Sequence, residues 1–272
     1  MEQFASGWKR NYYGKGDVTA YRLHRGERGD RGEIFGANVK ILIYGDAFWS
    51  TYTTGDNTGL IATDSMKNFI QRETMNFAGN DLESYCKFLG SKFLDTYPQV
   101  EGAQVSATEV PYTTLPGQTA AFKPSGPERF TARIEMNRQG VVETASGITG
   151  FRMVRLEGSA FVGFVRDQYT TLPEIKDRPL HMWLDLEWRA TSSDRISPAV
   201  RDLVYQTFGA FESGSIQQII YQIGTKMLAE IPAISEIHLE ANNRTWDNVA
   251  DNVYTEARPP YGCLGLRLRR EN

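Results

Sequence analysis

Histidine and cysteine, which most often hold metal ions or act as nucleophiles, are sparse in this sequence. Its 272 residues include two cysteines, Cys86 and Cys263, and three histidines. The histidines are His24, His181 and His238, and none of them has the spacing of a metal motif. No glycine-rich dinucleotide fingerprint follows a predicted strand. The sequence therefore predicts chemistry that needs neither a metal nor an organic cofactor.

The overall composition is that of an ordinary globular chain, with 40% hydrophobic and 23% charged residues. The formal net charge of −3 argues against a nucleic acid partner. The apolar runs are far shorter than the roughly 18 residues needed to span a bilayer. Residues 1–10 carry no apolar signal core, and residues 270–272 carry no peroxisomal address. We expect a cytoplasmic protein that binds neither nucleic acid nor a membrane.

The first half of the chain has the pattern of strands followed by helices. Residues 39–50 are β-branched and aromatic, which is typical of a strand. Residues 55–57 read as a turn that closes a hairpin, and residues 60–62 as the returning apolar run. The apolar period changes to that of a helix near Thr63. Asn80 with Glu83 resembles a capping box that begins a second helix. Strand-like segments follow near 102–113 and 128–136.

The second half repeats this order of elements. Strands are predicted over 149–164 and 181–189. Ser197-Pro198 has the pattern of a helix start, with a cap followed by a proline in the first turn. An apolar stripe from Ile216 to Leu228 predicts another helix. Two further strands are predicted near 234–240 and 262–269.

The order strand-strand-helix-helix-strand-strand thus occurs twice, which predicts an α+β fold with domains at 1–140 and 141–272. Each domain would be an antiparallel four-stranded sheet with two helices on one face. Open sheets have unpaired edges, which proteins usually cover or pair. We therefore expect several copies of the chain to assemble.

Four stretches resemble the urate oxidase family, and together they span most of the chain. The first is Tyr13-Gly14-Lys15, and the second joins Asp56-Asn57 to Ala62-Thr63-Asp64-Ser65-Met66-Lys67-Asn68. The most specific is Ser159-x-Phe161-x-Gly163-Phe164-x-Arg166-Asp167-x-Tyr169-Thr170-Thr171-Leu172, with Asp177-Arg178 at the expected distance. A weaker match is Ser215-Ile216-Gln217.

The resemblance implies tandem tunnelling-fold domains that form a barrel in a homotetramer, with each site at a junction of two subunits. It also implies oxidation of urate by molecular oxygen to 5-hydroxyisourate and hydrogen peroxide, without a cofactor. In one subunit, Phe161 would stack on the purine ring. Arg178 would bind the pyrimidine half through its planar guanidinium. The Gln217 amide and the Ile216 backbone N–H would complete the contacts to that half.

From the neighbouring subunit, the resemblance implies that Thr63 and the Asp64 backbone N–H bind the imidazole half of the ring. The Thr63 hydroxyl would relay a proton to Lys15. A lysine that is partly desolvated beside an arginine has its charged form disfavoured, so it can act as a base. Asn242 would hold oxygen or water above the ring.

Taken singly, the same residues have ordinary structural interpretations. Phe161 would be a core residue, Arg178 an ion-pair partner and Lys15 a solvated turn residue. Thr63-Asp64 would be a helix cap. The ordered set at matching spacing favours the binding interpretation.

The chain departs from the family pattern at the position of the relay histidine, which is Arg244 here. Arginine stays protonated and cannot shuttle protons, whereas histidine can. The family's histidine-rich segment is absent from 116–124. Its lysine-serine/threonine pair before Ser159 is also absent, since this stretch is Arg155-Leu156-Glu157-Gly158. These differences weaken the prediction that urate is the substrate more than they weaken the prediction of the fold.

Three other functions are alternatives to urate oxidation. The enzyme could oxidise a different purine-like or pteridine-like ring, or the chain could bind purines without catalysis. Pterin and GTP-hydrolysing enzymes share the tunnelling fold, but they typically use a metal and a glutamate anchor. The missing metal motif and Gln217 argue against that class.

Overall fold

A computed structural model describes residues 11–27, 30–190, 196–257 and 259–271. The chain divides into two compact units, residues 1–146 and 147–272, which are considered separately below. The domain boundary expected after residue 140 remains a prediction, because one strand runs from Gly140 to Arg155 across this division. Within the described ranges, no helix is both long enough and apolar enough to cross a membrane.

The first unit contains an antiparallel sheet. Its strands, in chain order, are β1 (Tyr13–His24), β2 (Glu33–Tyr44), β3 (Gly102–Glu109), β4 (Tyr112–Thr114), β5 (Phe122–Pro124) and β6 (Arg129–Asn137). The sheet order is β1-β2-β3-β6, and β4 pairs with β5 in a separate small hairpin. Its α-helices are α1 (Trp49–Thr54), α2 (Thr63–Glu73) and α3 (Leu82–Thr96), and two short 3-10 helices cover 46–48 and 74–76.

The core of the first unit lies between this sheet and its helices. Helix α2 packs against β1, and α3 packs against β3 and β6. The alternate residues Val39, Ile41 and Ile43 of β2 are fully buried, as are Met66 and Phe93 on the two helices. The apolar residues at every second position of β2 thus pack in one core with the apolar residues at helical spacing in α2 and α3.

The structure corrects the predicted hairpin around residues 39–62. Strand β2 ends at Tyr44, and Ser50 lies in α1 rather than in a strand. Gly55 ends α1 in the left-handed conformation, with φ 73°. Glycine in this conformation ends a helix here and does not close a hairpin. Residues 60–62 therefore lead into α2 and form no strand. The predicted start of α2 at Thr63 is confirmed.

The second unit is also α+β. Its elements are β7 (Gly140–Arg155), which begins in the first unit, then β8 (Leu180–Ala190), α4 (Ser197–Phe208), α5 (Ile216–Glu230), β9 (Ile234–Asn243), β10 (Asp247–Ala250), β11 (Val253–Thr255) and β12 (Cys263–Arg269). Strands β7, β8, β9 and β12 are neighbours in that order, and β10 pairs with β11. Helix α5 packs against β9, β12 and α4.

The predicted strand over 149–164 is wrong at both ends. Strand β7 begins at Gly140 and ends at Arg155, and the residues after it form no regular strand. Gly158 and Gly163 have φ values of 76° and 75°, which lie outside regular strand geometry. The most specific motif therefore lies in an irregular segment between β7 and β8.

Both predicted helix caps are displaced by one residue. Asp81, not Asn80, is the N-cap of α3, and its side chain accepts a hydrogen bond of 2.7 Å from the Ser84 N–H. Ile196, not Ser197, is the N-cap of α4, so Ser197 and Pro198 occupy the first turn. Aspartate and asparagine are both good caps, so composition alone could not choose between adjacent residues.

We expect Asp81→Ala to destabilise the protein by about 1 kcal/mol, because it leaves the Ser84 N–H without its cap. Asn80→Ala should change the stability by less than about 0.5 kcal/mol. Thermal unfolding of both variants at one protein concentration checks this. Equal losses for the two variants would contradict the assignment of the cap.

Candidate active site

A β-bulge in β1 lies between Lys15 and Val18. Lys15 pairs with Ile41, but the next pair is Val18 with Val39, so β1 has one extra residue between them. Residues directly opposite each other share a sheet face. Lys15 therefore lies on the face of Val39 and Ile41, which are fully buried. Val18, three positions later, lies on the same face, which the bulge allows and a regular strand would not.

The first turn of α2 is anchored to the same strand by Tyr13. The Tyr13 hydroxyl accepts a hydrogen bond of 2.9 Å from the Ile61 N–H, two residues before Thr63. Its ring packs edge-on against Phe48, with centroids 5.2 Å apart. Burial raises the pKa of Tyr13 to about 12, so the hydroxyl remains neutral. Tyr13 thus positions the start of α2 relative to Lys15.

Thr63 and Asp64 lie at the N-terminus of α2 but do not cap it. The N-cap is Ala62, and the first helical hydrogen bond runs from Met66 N to Ala62 O. The Thr63 and Asp64 N–H groups precede that bond, so the helix does not use them. Both residues are exposed. This turn therefore presents backbone donors and a hydroxyl to solvent.

The Asp64 side chain is held by its own helix. It accepts hydrogen bonds from Lys67 and Asn68. The hydrogen bond from Lys67 and its positive charge lower the pKa of Asp64, and the positive charge of Lys15 lowers it further. The structure thus brings Lys15 and Asp64 within electrostatic range of each other.

In the second unit, Phe161 and Arg178 form a pair. The Arg178 guanidinium carbon lies 5.9 Å from the centre of the Phe161 ring. Phe164 stacks on Phe161 at 4.9 Å with an interplanar angle of 15°. The buried Nε of Arg178 has no hydrogen-bond partner among the described residues. Burial lowers the pKa of Arg178, although the group remains a cation.

Backbone hydrogen bonds fix this pair. The Phe161 N–H and C=O both bond to Ile175, at 2.8 and 3.1 Å, and the Arg178 N–H donates to Ser159 O at 3.0 Å. One carboxylate oxygen of Asp177 accepts from the Gly158 and Ser159 N–H groups, at 2.8 and 3.1 Å. The segment that precedes Phe161 is therefore joined to the segment that ends at Arg178.

Part of the specific motif builds a local turn. Asp167 Oδ1 accepts hydrogen bonds from the Tyr169 N–H and the Thr170 hydroxyl, each at 2.9 Å. The hydrogen bond from the Tyr169 N–H contributes most to lowering the pKa of Asp167. Asp167, Tyr169 and Thr170 thus stabilise the conformation of the loop.

The start of α5 is tied to the same irregular segment. Ser159 forms a parallel bridge with Ser213, and the Ala160 N–H donates to Ser213 O at 2.8 Å. The N-cap of α5 is Ser215, whose side chain accepts from the Gln218 N–H. Ile216 is buried and Gln217 is exposed in the first turn. Backbone contacts therefore join Phe161, Arg178 and this turn.

Asn242 and Arg244 lie at the end of β9, on the face away from α5. Asn242 pairs with Trp183 on β8, whereas its neighbour Ala241 is fully buried. The Arg244 guanidinium carbon lies 4.3 Å from the centre of the Trp183 ring and 3.6 Å from the centre of the Tyr261 ring. The two rings hold this cation in place by cation–π contacts.

His181 is the cross-strand neighbour of Arg244. The Arg244 N–H donates to His181 O at 2.9 Å. Burial lowers the pKa of His181, and the charges of Arg152 and Arg244 lower it further, while Glu256 raises it. The sequence showed three isolated histidines, and only the pairing of β8 with β9 reveals this neighbour.

A sequence model of the uricase family matches residues 11–142 and 144–263, which is nearly all of the chain. The chain belongs to the uricase family. This confirms the resemblance inferred from the four sequence stretches.

Uricases and related proteins from bacteria and archaea are similar over most of the chain. A uric acid degradation bifunctional protein from Bacillus sp. (strain TB-90) is 36% identical over 96% of this chain and 60% of its own length. A corresponding protein of Bacillus subtilis (strain 168), PucL, is 34% identical, and 61% of it is covered. The chain thus spans about three fifths of these two relatives. A uricase from Haloferax volcanii is 37% identical over 90% of this chain and 91% of its own.

Solved uricase structures have the same fold. The urate oxidase of Bacillus sp. TB-90 superposes with a TM-score of 0.87 at 33% identity, over 96% of this chain and all of that one. A uricase from Bacillus fastidious also gives a TM-score of 0.87 at 33% identity, covering 96% and 94% of the two chains. The α+β architecture with a mostly antiparallel sheet is therefore that of urate oxidases.

The predicted site residues fall into two sets, one in each unit. Lys15, Thr63 and Asp64 form the first, which we call the relay set. Phe161, Arg178, Ile216 and Gln217 form the second, which we call the ring set, with Asn242 and Arg244 on a sheet face of the same unit. Sequence reasoning missed the anchoring roles of Tyr13 and Asp177, although both stood in the quoted motifs. Their roles depend on contacts that only the fold brings together.

Proposed function

We propose that this chain oxidises urate with molecular oxygen to 5-hydroxyisourate and hydrogen peroxide, without a cofactor. Membership of the uricase family supports the reaction. The observation that carries the proposal is the buried Arg178 Nε, which has no acceptor among the described residues and lies beside the Phe161 ring. A buried donor without a partner costs about 1–3 kcal/mol. A planar ligand with carbonyl and imide groups would supply the missing acceptor.

The ring set would bind the pyrimidine half of urate. Phe164 occupies one face of Phe161, which leaves the other face for a planar ring. Arg178 would donate to a carbonyl and a ring nitrogen, while the Gln217 amide donates and accepts at the imide edge. The Ile216 N–H, at the positive end of α5, would add a donor. This arrangement favours a flat anion.

The relay set of a neighbouring subunit would bind the imidazole half and move protons. The Thr63 hydroxyl and the Asp64 N–H would contact the ring, and Thr63 would pass a proton to Lys15. The resulting electron-rich anion gives two electrons to oxygen, and water adds to the oxidised ring as its hydroxyl group. The oxygen leaves as hydrogen peroxide after it takes up two protons.

Arg244 would contribute a fixed charge to this reaction. It is held between Trp183 and Tyr261, and it lies two residues after Asn242 on the same face. Asn242 would hold oxygen or water above the ring. A permanent cation there would stabilise a peroxide-like anion without exchanging protons.

We further propose that the two units are tandem tunnelling-fold domains that complete a barrel in a cytoplasmic homotetramer. Two observations support assembly. Strand β1 stands at one end of the strand order of the first unit, and β12 stands at one end of that of the second unit, where unpaired edges need a partner. Val165 and Tyr169 are 86% and 81% exposed in the loop that carries the motif. A second copy would cover these apolar side chains.

The purified chain should therefore have the mass of a tetramer in solution at micromolar concentration, because its edges and apolar loop are then paired. Light scattering coupled to size-exclusion chromatography measures this. A monomeric mass under these conditions would exclude the shared sites.

Turnover is tested by the loss of the ultraviolet absorbance of urate with coupled detection of peroxide, in the presence of a metal chelator. We expect urate consumption and peroxide formation at equal rates. Arg178→Ala or Gln217→Ala should weaken urate binding about 10- to 100-fold, because a polar partner is left unpaired. Phe161→Ala should also weaken binding, with less discrimination between different rings.

Arg201→Ala is a matched control, since this arginine lies on α4 and carries a side chain 40% exposed. It should bind urate as the parent does. If the three pocket variants also bind like the parent, the pocket has been placed wrongly. Tight binding of urate without turnover would instead indicate a purine-binding protein, and turnover of another ring alone would indicate a redirected oxidase.

The exchange Arg244→His tests the role of the fixed charge. If Arg244 belongs to the reaction, this exchange removes a permanent cation and should lower urate turnover at pH 8, where histidine is mostly neutral. Turnover at pH 6 should fall less. An increase of turnover at both pH values would show that the arginine had replaced a needed proton carrier, whose contribution is typically about 10²–10⁴-fold.

A further inference from the structure

Arg155, the last residue of β7, uses every N–H of its guanidinium group within the protein. The five N–H groups donate to three backbone carbonyl oxygens and two serine hydroxyls. The acceptors are Ser159 Oγ at 2.7 Å, Gly158 O at 2.8 Å, Phe211 O at 2.9 Å, Phe208 O at 3.1 Å and Ser213 Oγ. No donor remains for a ligand, so the role of Arg155 is to hold the chain.

The acceptors of Arg155 belong to the two segments that carry the ring set. Ser159 lies two residues before Phe161, and its carbonyl oxygen accepts from the Arg178 N–H. Ser213 lies three residues before Ile216, where α5 begins. Arg155 therefore joins the Phe161–Arg178 pair to the first turn of α5 through a single side chain.

Only a guanidinium group can make this set of contacts. Arginine presents five donors in a fixed plane, whereas a lysine ammonium presents three from one point. The guanidinium carbon of Arg155 also lies 5.6 and 6.0 Å from the ring centres of Phe208 and Phe211. Burial lowers the pKa of Arg155 and the charge of Asp177 raises it, so the group remains a cation.

We propose that Arg155 is a positioning residue that sets the distance between the Phe161–Arg178 pair and Gln217, and thereby the affinity for the substrate ring. The proposal rests on the proposed function, because the ring is the ligand of the ring set. The five acceptors of Arg155 all lie in the second unit, whereas the relay set belongs to the first. The loss of Arg155 should therefore weaken binding more than it slows the chemical step.

The test measures kcat and KM for urate in Arg155→Ala and Arg155→Lys. We expect Arg155→Ala to raise KM at least about tenfold while kcat changes less than about threefold. Arg155→Lys should recover part of the affinity, since it restores the charge and up to three donors. An unchanged KM in folded Arg155→Ala would overturn the proposal, and a fall in kcat without a rise in KM would overturn it as well.

Arg270→Ala is the matched control. Arg270 also bonds three carbonyl oxygens, those of Leu228, Ile231 and Ile234, but at the other end of α5. Its loss should lower the thermal stability as Arg155→Ala does, without raising KM. If Arg270→Ala raises KM as much, the effect is general destabilisation and the proposal fails.

A second variant keeps the test decisive if Arg155→Ala does not fold. The double variant Ser159→Ala/Ser213→Ala retains the arginine and removes two of its five acceptors. We expect its KM to rise about three- to tenfold, and an unchanged KM would overturn the proposal.

Equilibrium binding of xanthine, a purine related to urate, separates this proposal from the proposed function. If the parent binds xanthine but does not oxidise urate, the proposed function fails. The positioning role of Arg155 is then tested by the Kd for xanthine in the same variants. If the parent oxidises urate and Arg155→Ala leaves KM unchanged, only the positioning role fails. A parent that neither binds xanthine nor oxidises urate overturns both.

Discussion

The irregular segment between β7 and β8 must satisfy its backbone polar groups without a helix or a sheet ladder, and the ring set depends on how it does so. Buried N–H and C=O groups are costly to leave unpaired. Here Asp177 accepts from two consecutive N–H groups, while Arg155 donates to the adjacent Gly158 carbonyl oxygen. An anion and a cation thus replace the missing secondary structure. These two side chains thereby fix the positions of Phe161 and Arg178.

Three arginines of the second unit are held against aromatic rings. Arg178 lies beside Phe161, while Arg152 and Arg244 both lie over Trp183, at 4.6 and 4.3 Å. Aromatic faces hold these cations without cancelling their charge, as carboxylates would. Their charge therefore remains available to an anion, and urate, the proposed substrate, is an anion at neutral pH. A low pKa keeps the adjacent His181 from adding to this charge at neutral pH.

The elements with a clear period could be predicted from the sequence. The apolar spacing of α2 and α5 placed the helix starts at Thr63 and Ile216, where the structure has them. The predicted strand over 39–50 is right as far as Tyr44 and wrong beyond it, because aromatic residues such as Phe48 and Trp49 also fit a strand, while Gly55 can end a helix or form a turn. Residues 156–164 look strand-like by composition, but two positive-φ glycines interrupt them.

Residue types and their spacing predicted which residues belong to the site, but not the contacts that position them. The sequence identified the members of the ring set and the relay set by resemblance, and these assignments remain predictions. It could not identify Arg155 as a bridge, because its acceptors near residues 208–213 lie more than fifty positions away. Nor could it place His181 beside Arg244, since that depends on the register of β8 with β9.

The bulge in β1 makes the composition of a short stretch more important than its length. Gly16 and Asp17 carry the extra residue, and Asp17 has a φ of 58°, which aspartate tolerates better than most residues. The loss of one codon here would leave Lys15 two positions before Val18, so both side chains would still lie on one face of a regular strand. Descendants of this gene can thus lose this residue and keep the direction of Lys15, whereas a β-branched residue at position 17 would strain the backbone.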